Sequence, residues 1–161
     1  MDEIKNISQN GIDFIAKEEG CVLHPYKDIA GIPTIGIGNT YYATGIKVTM
    51  HDPPITKDEA YALFSQIVKH YEEAVWSLTR DDINQNNFDS LVSFSYNVGI
   101  GSLKSSTLLK RINANPKDQT IRQAFEMWNK AENPKTHQLE VSDDLSNRRA
   151  READLYFTPI T

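Results

Sequence analysis

Cysteine is almost missing from this sequence: Cys21 stands alone, so no internal disulfide can form and a thiolate metal cluster is excluded. Among apolar neighbours, Cys21 reads as a small buried residue. Long hydrophobic runs are missing too. No stretch approaches the roughly 18 residues that a membrane span needs, and MDEIKNISQN lacks the basic-then-apolar order of a secretory signal. The expectation is a chain with no export device and no stable membrane insertion. Positive charge is scarce, with 17 Lys+Arg against 22 Asp+Glu and a net charge of −5, which argues against a nucleic-acid partner. The second-half basic residues bunch at Lys104, Lys110 and Arg111 and at Arg148, Arg149 and Arg151, as solvated helix faces or as a local patch for an anionic polymer. Gly36-x-Gly38 has no third glycine to complete a dinucleotide fingerprint, and no Gly-x-Ser-x-Gly elbow occurs. His24, His51, His70 and His137 are scattered without metal-ligand spacing and read as surface residues. No metal and no organic cofactor is expected.

What is present is a folded chain of one domain, residues 1–161, with 39% hydrophobic residues and no internal repeat. Ile12, Ile15 and Ala16 recur at helical spacing between Ser8 and Glu19, and Gly20 supplies a stop. From Leu23 to Val48 the pattern changes to alternation with glycine and proline at turns, which predicts two or three short antiparallel strands. Thr56-x-x-Glu59 is a capping box opening a helix to about Arg80, with Ala60, Leu63, Ile67, Tyr71 and Val75 on one stripe. Beyond it the punctuation predicts helices over 86–98, 103–113, 117–130 and 142–157. The fold class is α+β and predominantly helical. A small antiparallel β lobe (about 20–55) and a larger helical lobe (about 81–161 plus the N-terminal helix) are joined by a long helix (about 56–80).

The stretch "EEGCVLHPYKDIAGIPTIGIGN" concentrates chemistry. Glu19 closes a predicted helix, Asp28 follows nine residues later on a strand or turn, and Thr34 starts the next strand. A helix end followed by a turn can set two carboxyls across a gap, as glycosidic cleavage requires: one acid gives a proton to the leaving oxygen, the other stays ionised. The helix dipole and adjacent Glu18 favour Glu19 as the acid, and Asp28 suits the base. Thr34 can donate and accept, so it can hold a water against Asp28. Gly31, Gly36 and Gly38 are read as letting the strand turn and leaving room for a bulky polymer. On spacing alone, three such residues also arise by chance.

The string Glu19-Gly20-x-x-Leu23-x-x-Tyr26-x-Asp28-x-x-Gly31-x-x-Thr34-Ile35-Gly36-x-Gly38 resembles the catalytic segment of the phage-type lysozymes. "LVSFSYNVGIGSLKSSTLL" (Leu91 to Leu109) is similar to that family's central helix and turn, and "LSNRRAREADLY" (Leu145 to Tyr156) to its terminal Arg-Arg-x-x-Glu helix. The resemblance implies a T4-lysozyme-like fold with a cleft between the lobes and a muramidase acting on bacterial peptidoglycan. It further implies inversion at the sugar carbon, with Glu19 as general acid, Asp28 as base and Thr34 as its partner. Tyr96 and Asn97 fall on the family's Phe-Asn-Val-Gly stretch and are implied to stack on a sugar and to bond an acetamido group; alternatively Tyr96 is core and Asn97 caps the helix before Gly99. Arg148 matches an arginine beside the acid and is implied to orient Glu19. Asn39 stands where many relatives carry histidine, and "AENPKTHQLEVSDDL" (Ala131 to Leu145) replaces a glycine-rich approach to the terminal helix. The expected life history is a monomeric phage or prophage endolysin held in the host cytoplasm until a separate holin-type pore admits it to the wall. A lytic transglycosylase, a non-catalytic peptidoglycan-binding module and a toxin delivered between bacteria remain as rival readings.

Overall fold

The computed structural model describes residues 3–160. The elements run α1 (Gln9–Glu19), β1 (Val22–Lys27), β2 (Pro33–Gly36), α2 (Lys57–Leu78), α3 (Gln85–Val98), α4 (Ile100–Ser105), α5 (Thr107–Ala114), α6 (Ile121–Glu126), β3 (Lys130–Glu132), β4 (Leu139–Val141) and α7 (Asp143–Phe157). The fold is α+β and mostly helical, with two small antiparallel hairpins, β1 with β2 and β3 with β4. The chain forms two compact units: one is Ile12–His70, the other the chain up to Gly11 together with the chain from Tyr71 onward.

In the unit Ile12–His70, β1 and β2 pair with Tyr26 opposite Thr34 and Lys27 opposite Pro33, and the register slips between Val22 and Tyr26, where Pro25 has no N–H to give the ladder. Among the described residues no third strand joins this sheet. Isolated bridges, Ile35 to Asn39 and Tyr41 to Lys47, replace it, because Gly36 and Gly38 (φ 67° and 70°) curl the chain before a ladder can extend. The hairpin leans on α2: Ile35, Val48 and Leu63 are buried together, with Tyr42, Ile55 and Ile67 packed around them. The Thr56–Glu59 capping box forms as read, Glu59 N–H donating to Thr56 Oγ1 at 3.1 Å and Thr56 N–H to Glu59 Oε1 at 3.4 Å. Asp52 ties down the loop before it, accepting from Thr49 Oγ1 (2.5 Å), Thr49 N–H (2.9 Å) and Tyr42 Oη (2.7 Å).

In the other unit α3 is buried on every side from Asn87 to Ser95. Serine makes this possible, since Ser90 and Ser95 return their hydroxyls to the carbonyls of Asn87 (2.8 Å) and Val92 (3.0 Å). Asp89 is fully buried and accepts from Ser8 N–H (3.1 Å), the Ser8 hydroxyl and Gln85 Nε2 (2.7 Å). Phe94 meets Phe125 and Trp128 edge-on at centroid distances of 5.7 and 5.8 Å, and Phe125 meets Tyr156 at 5.9 Å. α3 and α7 pack directly on each other.

Two predicted helices are shorter than the pattern implied. Ser106 caps α5 by accepting from Leu109 N–H, so the run 103–113 is two helices meeting at a serine. The run 117–130 shrinks to α6, because Asp118 turns the chain by accepting from Thr120 N–H and Oγ1, and Lys130 already belongs to a hairpin. That hairpin, Lys130 opposite Val141, is the form taken by the unusual segment before α7, and its turn places His137 at φ 59°. Cys21 is only half-buried, a correction to its reading as a core residue, and all four histidines are exposed.

Gly11 tests the packing. A Cβ there would lie 2.6 Å from both Asp89 Cγ and Ile7 Cγ1. Alanine in a helix ordinarily gains about 1 kcal/mol over glycine, but overpacking costs about 1–3 kcal/mol. Gly11→Ala is therefore expected to lower the melting temperature, read by thermal circular dichroism; a rise would show that the buried Asp89 pocket yields. Asp52 supplies a pH test. The Thr49 hydroxyl first, then Thr49 N–H and the Tyr42 phenol, hold its carboxyl below the usual range. A depressed folded-state pKa contributes stability above the unfolded value of about 3.9 and loses it as pH falls through the folded one. The stability gap between wild type and Asp52→Asn should thus be widest near neutrality and close as pH drops below about 4; a gap constant with pH in melting curves contradicts this.

Candidate active site

Three of the sequence-predicted residues lie in the unit Ile12–His70. Glu19 is the last residue of α1, and Gly20 (φ 77°) ends the helix with its N–H donating to Ala16 O at 2.9 Å. The left-handed step swings the chain straight into β1. Glu19 itself lies on the backbone of Gly38: a Cβ added there would be 2.8 Å from Oε2, 3.4 Å from Cδ and 3.6 Å from Cβ of Glu19. The space left by Gly36 is likewise taken by Asn39 Oδ1 and Ala60. This corrects the reading of these glycines as room for a polymer; at Gly36 and Gly38 the room is filled by the protein's own side chains. A Cβ added at Gly31 (φ 80°) would meet nothing within 4 Å among the described residues, and Gly31 serves the turn, its N–H donating to Asp28 O at 2.9 Å.

Asp28 begins the turn between β1 and β2, its N–H donating to Ile32 O (3.0 Å) and its Oδ1 accepting from Ile32 N–H (2.9 Å). Thr34 is 3% exposed and gives its hydroxyl proton to the same carbonyl, Ile32 O, at 2.8 Å. One residue's backbone therefore fixes both side chains. Because the donor of Thr34 is committed, its oxygen remains as an acceptor.

Tyr26 feels the charge of both acids. Burial first, and then the charges of Glu19 and Asp28, push its phenol above the ordinary range, so both carboxylates act on one ring. Thr34 is its partner across the hairpin, and directly opposed residues share a face of the sheet. In the sequence Tyr26 stands only as part of the motif, with no role of its own. Its position one strand residue before the turn, on the Thr34 register, was the available signal.

Asn39 is buried and closes the tight turn through paired backbone bonds with Ile35 (2.8 and 2.9 Å), its Oδ1 accepting from Ile37 N–H at 3.3 Å. An amide here provides an acceptor for the turn without a charge.

The other unit holds the remaining candidates. Tyr96 is half-buried and meets Tyr71 edge-on at 5.1 Å. Asn97 is exposed and accepts from Arg149 Nη2 at 2.6 Å; Gly99 (φ 97°), and not Asn97, is the C-cap of α3. Arg148 is buried, reaching Glu152 Oε2 (3.4 Å), Ser93 O (3.3 Å) and Ser93 Oγ (3.5 Å). Arg149 and Glu152 are wholly buried and paired at 2.8 Å, and Ser93 donates to Glu152 Oε2 at 2.6 Å. Burial pushes the Glu152 carboxyl up, against the pull of Arg149, Arg148 and the Ser93 hydroxyl. The Arg-Arg-x-x-Glu string contained this network, since i,i+3 and i,i+4 side chains meet on a helix.

An acid at a helix end, a second acid on a turn and a hydroxyl beside it are the groups with which a glycoside hydrolase works. The comparisons agree on that class. Residues 16–152 match the family described as phage lysozyme. The chain is 36% identical over 153 residues to the endolysin of Salmonella phage P22, covering 94% of this chain and 98% of that one. Among solved structures, the endolysin from Escherichia coli O157:H7 phage FAHEc1 superposes with a TM-score of 0.88 at 37% identity, over 94% of this chain and 93% of that one. The muramidase domain of SpmX from Asticaccaulis excentricus gives 0.82 at 31% identity, over 97% and 100%. The chain belongs to the phage lysozyme family, and it is a glycoside hydrolase of the lysozyme class.

Gly38→Ala brings a left-handed backbone penalty of about 1–2 kcal/mol and forces the Glu19 carboxylate aside. A displacement near 1 Å at a reacting group can cost about a hundredfold in rate. Clearing of purified sacculi is expected to fall by tenfold or more while the circular dichroism of the helices persists; wild-type clearing by Gly38→Ala counts against the contact.

Proposed function

We propose that the chain hydrolyses the β-1,4 bond between N-acetylmuramic acid and N-acetylglucosamine in bacterial peptidoglycan, with inversion at the sugar carbon. Glu19 gives its proton to the leaving glycosidic oxygen, and Asp28 takes a proton from the attacking water. The observation that carries this reading is that the Ile32 backbone holds Asp28 and Thr34 together, while Glu19 is held on Gly38 in the same unit, Ile12–His70. The hydroxyl adds a direction. With its own proton on Ile32 O, Thr34 can only accept from a water, so a water donating to both Thr34 Oγ1 and Asp28 keeps a lone pair for the sugar carbon. Asp28 Oδ2 has no partner among the described residues and is the atom to receive that water's proton.

In the same reading Tyr96 offers a ring face to a sugar and Asn97 bonds an acetamido group. No metal or organic cofactor takes part in these steps. The chain acts as a monomer, waits in the host cytoplasm and reaches the wall through a separate holin-type pore.

Glu19→Gln keeps the shape of the side chain and removes the proton, so clearing of sacculi should drop by about 10²- to 10⁴-fold, the usual worth of a general acid. Mass spectrometry of the wild-type products separates the rivals. Hydrolysed reducing ends support the proposal, anhydro ends point to a transglycosylase, and binding without cleavage points to a wall-binding module. Near-normal clearing by Glu19→Gln removes the acid assignment.

A further inference from the structure

Asn97 lies one residue inside the C-terminal end of α3, and its exposed amide is not free to turn over. Its Oδ1 accepts from Arg149 Nη2 at 2.6 Å. A guanidinium carries donors only, so reversing the amide would set NH2 against N–H with no acceptor between them. The arginine cannot yield instead. Its Nε is 2.8 Å from Glu152 Oε1, its Cζ lies 5.1 Å from the centre of the Phe94 ring, and the side chain is 0% exposed. Glu152 is in turn held at Oε2 by Ser93 Oγ (2.6 Å) and Arg148 Nε (3.4 Å). A rigid series of contacts thus starts in the core and ends on a surface amide whose Nδ2 has no partner among the described residues.

We propose that Arg149 is a positioning residue that makes Asn97 a hydrogen-bond donor of fixed sense, so that this position reads the carbonyl oxygen of a 2-acetamido group on the glycan. The inference rests on the reading in which Asn97 contacts the sugar. It goes further by assigning the sense of the bond and its consequence. A de-N-acetylated sugar presents a 2-ammonium group, which has donors only, to an amide that can only donate there. Two donors face each other, and the sugar is selected against.

Binding is measured in the Glu19→Gln background, where turnover does not interfere, with stem-peptide-free glycan tetrasaccharides that are either fully N-acetylated or de-N-acetylated. Removing the peptide leaves the acetamido group as the source of an amide carbonyl. The parent should prefer the acetylated glycan. Asn97→Asp keeps an acceptor for Arg149, now with charge assistance, and loses the donor. Affinity for the acetylated glycan should fall about three- to tenfold, the worth of one hydrogen bond, with affinity for the other glycan unchanged or tighter and the melting temperature unchanged or raised. Arg149→Lys keeps a cation for Glu152 and lacks the fork that holds Asn97, so it should erode the same preference. If Arg149→Lys does not fold, the aspartate variant decides alone. A purely structural bond predicts that Asn97→Asp retains the parental preference, and that result overturns the proposal, as do equal losses on both glycans or a parent that binds without preference. Clearing of sacculi by the wild-type chain without any acetyl preference sinks this inference and leaves the hydrolase reading standing. Preference without clearing does the reverse.

Discussion

The Glu19 carboxylate rests on the backbone of Gly38, and that contact exists because the residue beneath it has no side chain. The surrounding turn is built to keep it so. Gly36 and Gly38 take left-handed conformations, Ile35 and Asn39 clasp each other across them, and Ile35 and Ile37 are buried on either side. Any other residue at position 38 would carry both a conformational cost and a Cβ in the place of the carboxylate. The Glu19 carboxylate is thus held by main chain, which has few ways to relax, and the β1–β2 hairpin brings that main chain to the end of α1.

Asp28 and Thr34 are fixed with similar economy. The N–H and C=O of Ile32 between them hold Asp28 and Thr34, so the carboxylate and the hydroxyl cannot drift apart without breaking the turn. The same bonds set polarity as well as position: the threonine donor is used, and one aspartate oxygen is used. What remains is a pair of acceptors, the Thr34 oxygen and the second Asp28 oxygen. Tyr26 stands opposite Thr34 across the hairpin, its phenol raised above the ordinary range by burial first and then by the charges of Glu19 and Asp28.

The unit around α3 uses a different principle. Arg148, Arg149, Glu152 and Ser93 place charge and hydroxyl in the interior, an arrangement in which losing one member leaves an unpaired buried charge at a cost of about 3–5 kcal/mol. Such a network adds little to stability over an apolar core of the same size, but it restricts geometry. Its outward end is the Asn97 amide, on the surface of α3.

Much of this was legible without coordinates. Punctuation and period located α1, α2, α3 and α7 to within a residue or two, because Gly20, the Thr56–Glu59 box and Ser142 act locally on the first or last turn. The motif from Glu19 to Gly38 carried the family, and Glu19, Asp28 and Thr34 with it as candidates, since residue type and order suffice for that. Tertiary structure decided the rest. It ended the 117–130 run at Glu126 by pairing Lys130 with Val141, and it buried α3 all round by giving its serines carbonyl partners. It put Glu19 on Gly38, set Tyr26 opposite Thr34 and turned the Asn97 amide outward on Arg149. These are contacts between residues far apart in the chain or dependent on which atom of a group is already occupied. Local pattern names a residue and its element, but which lone pair or proton stays available is settled only when folding has spent the others.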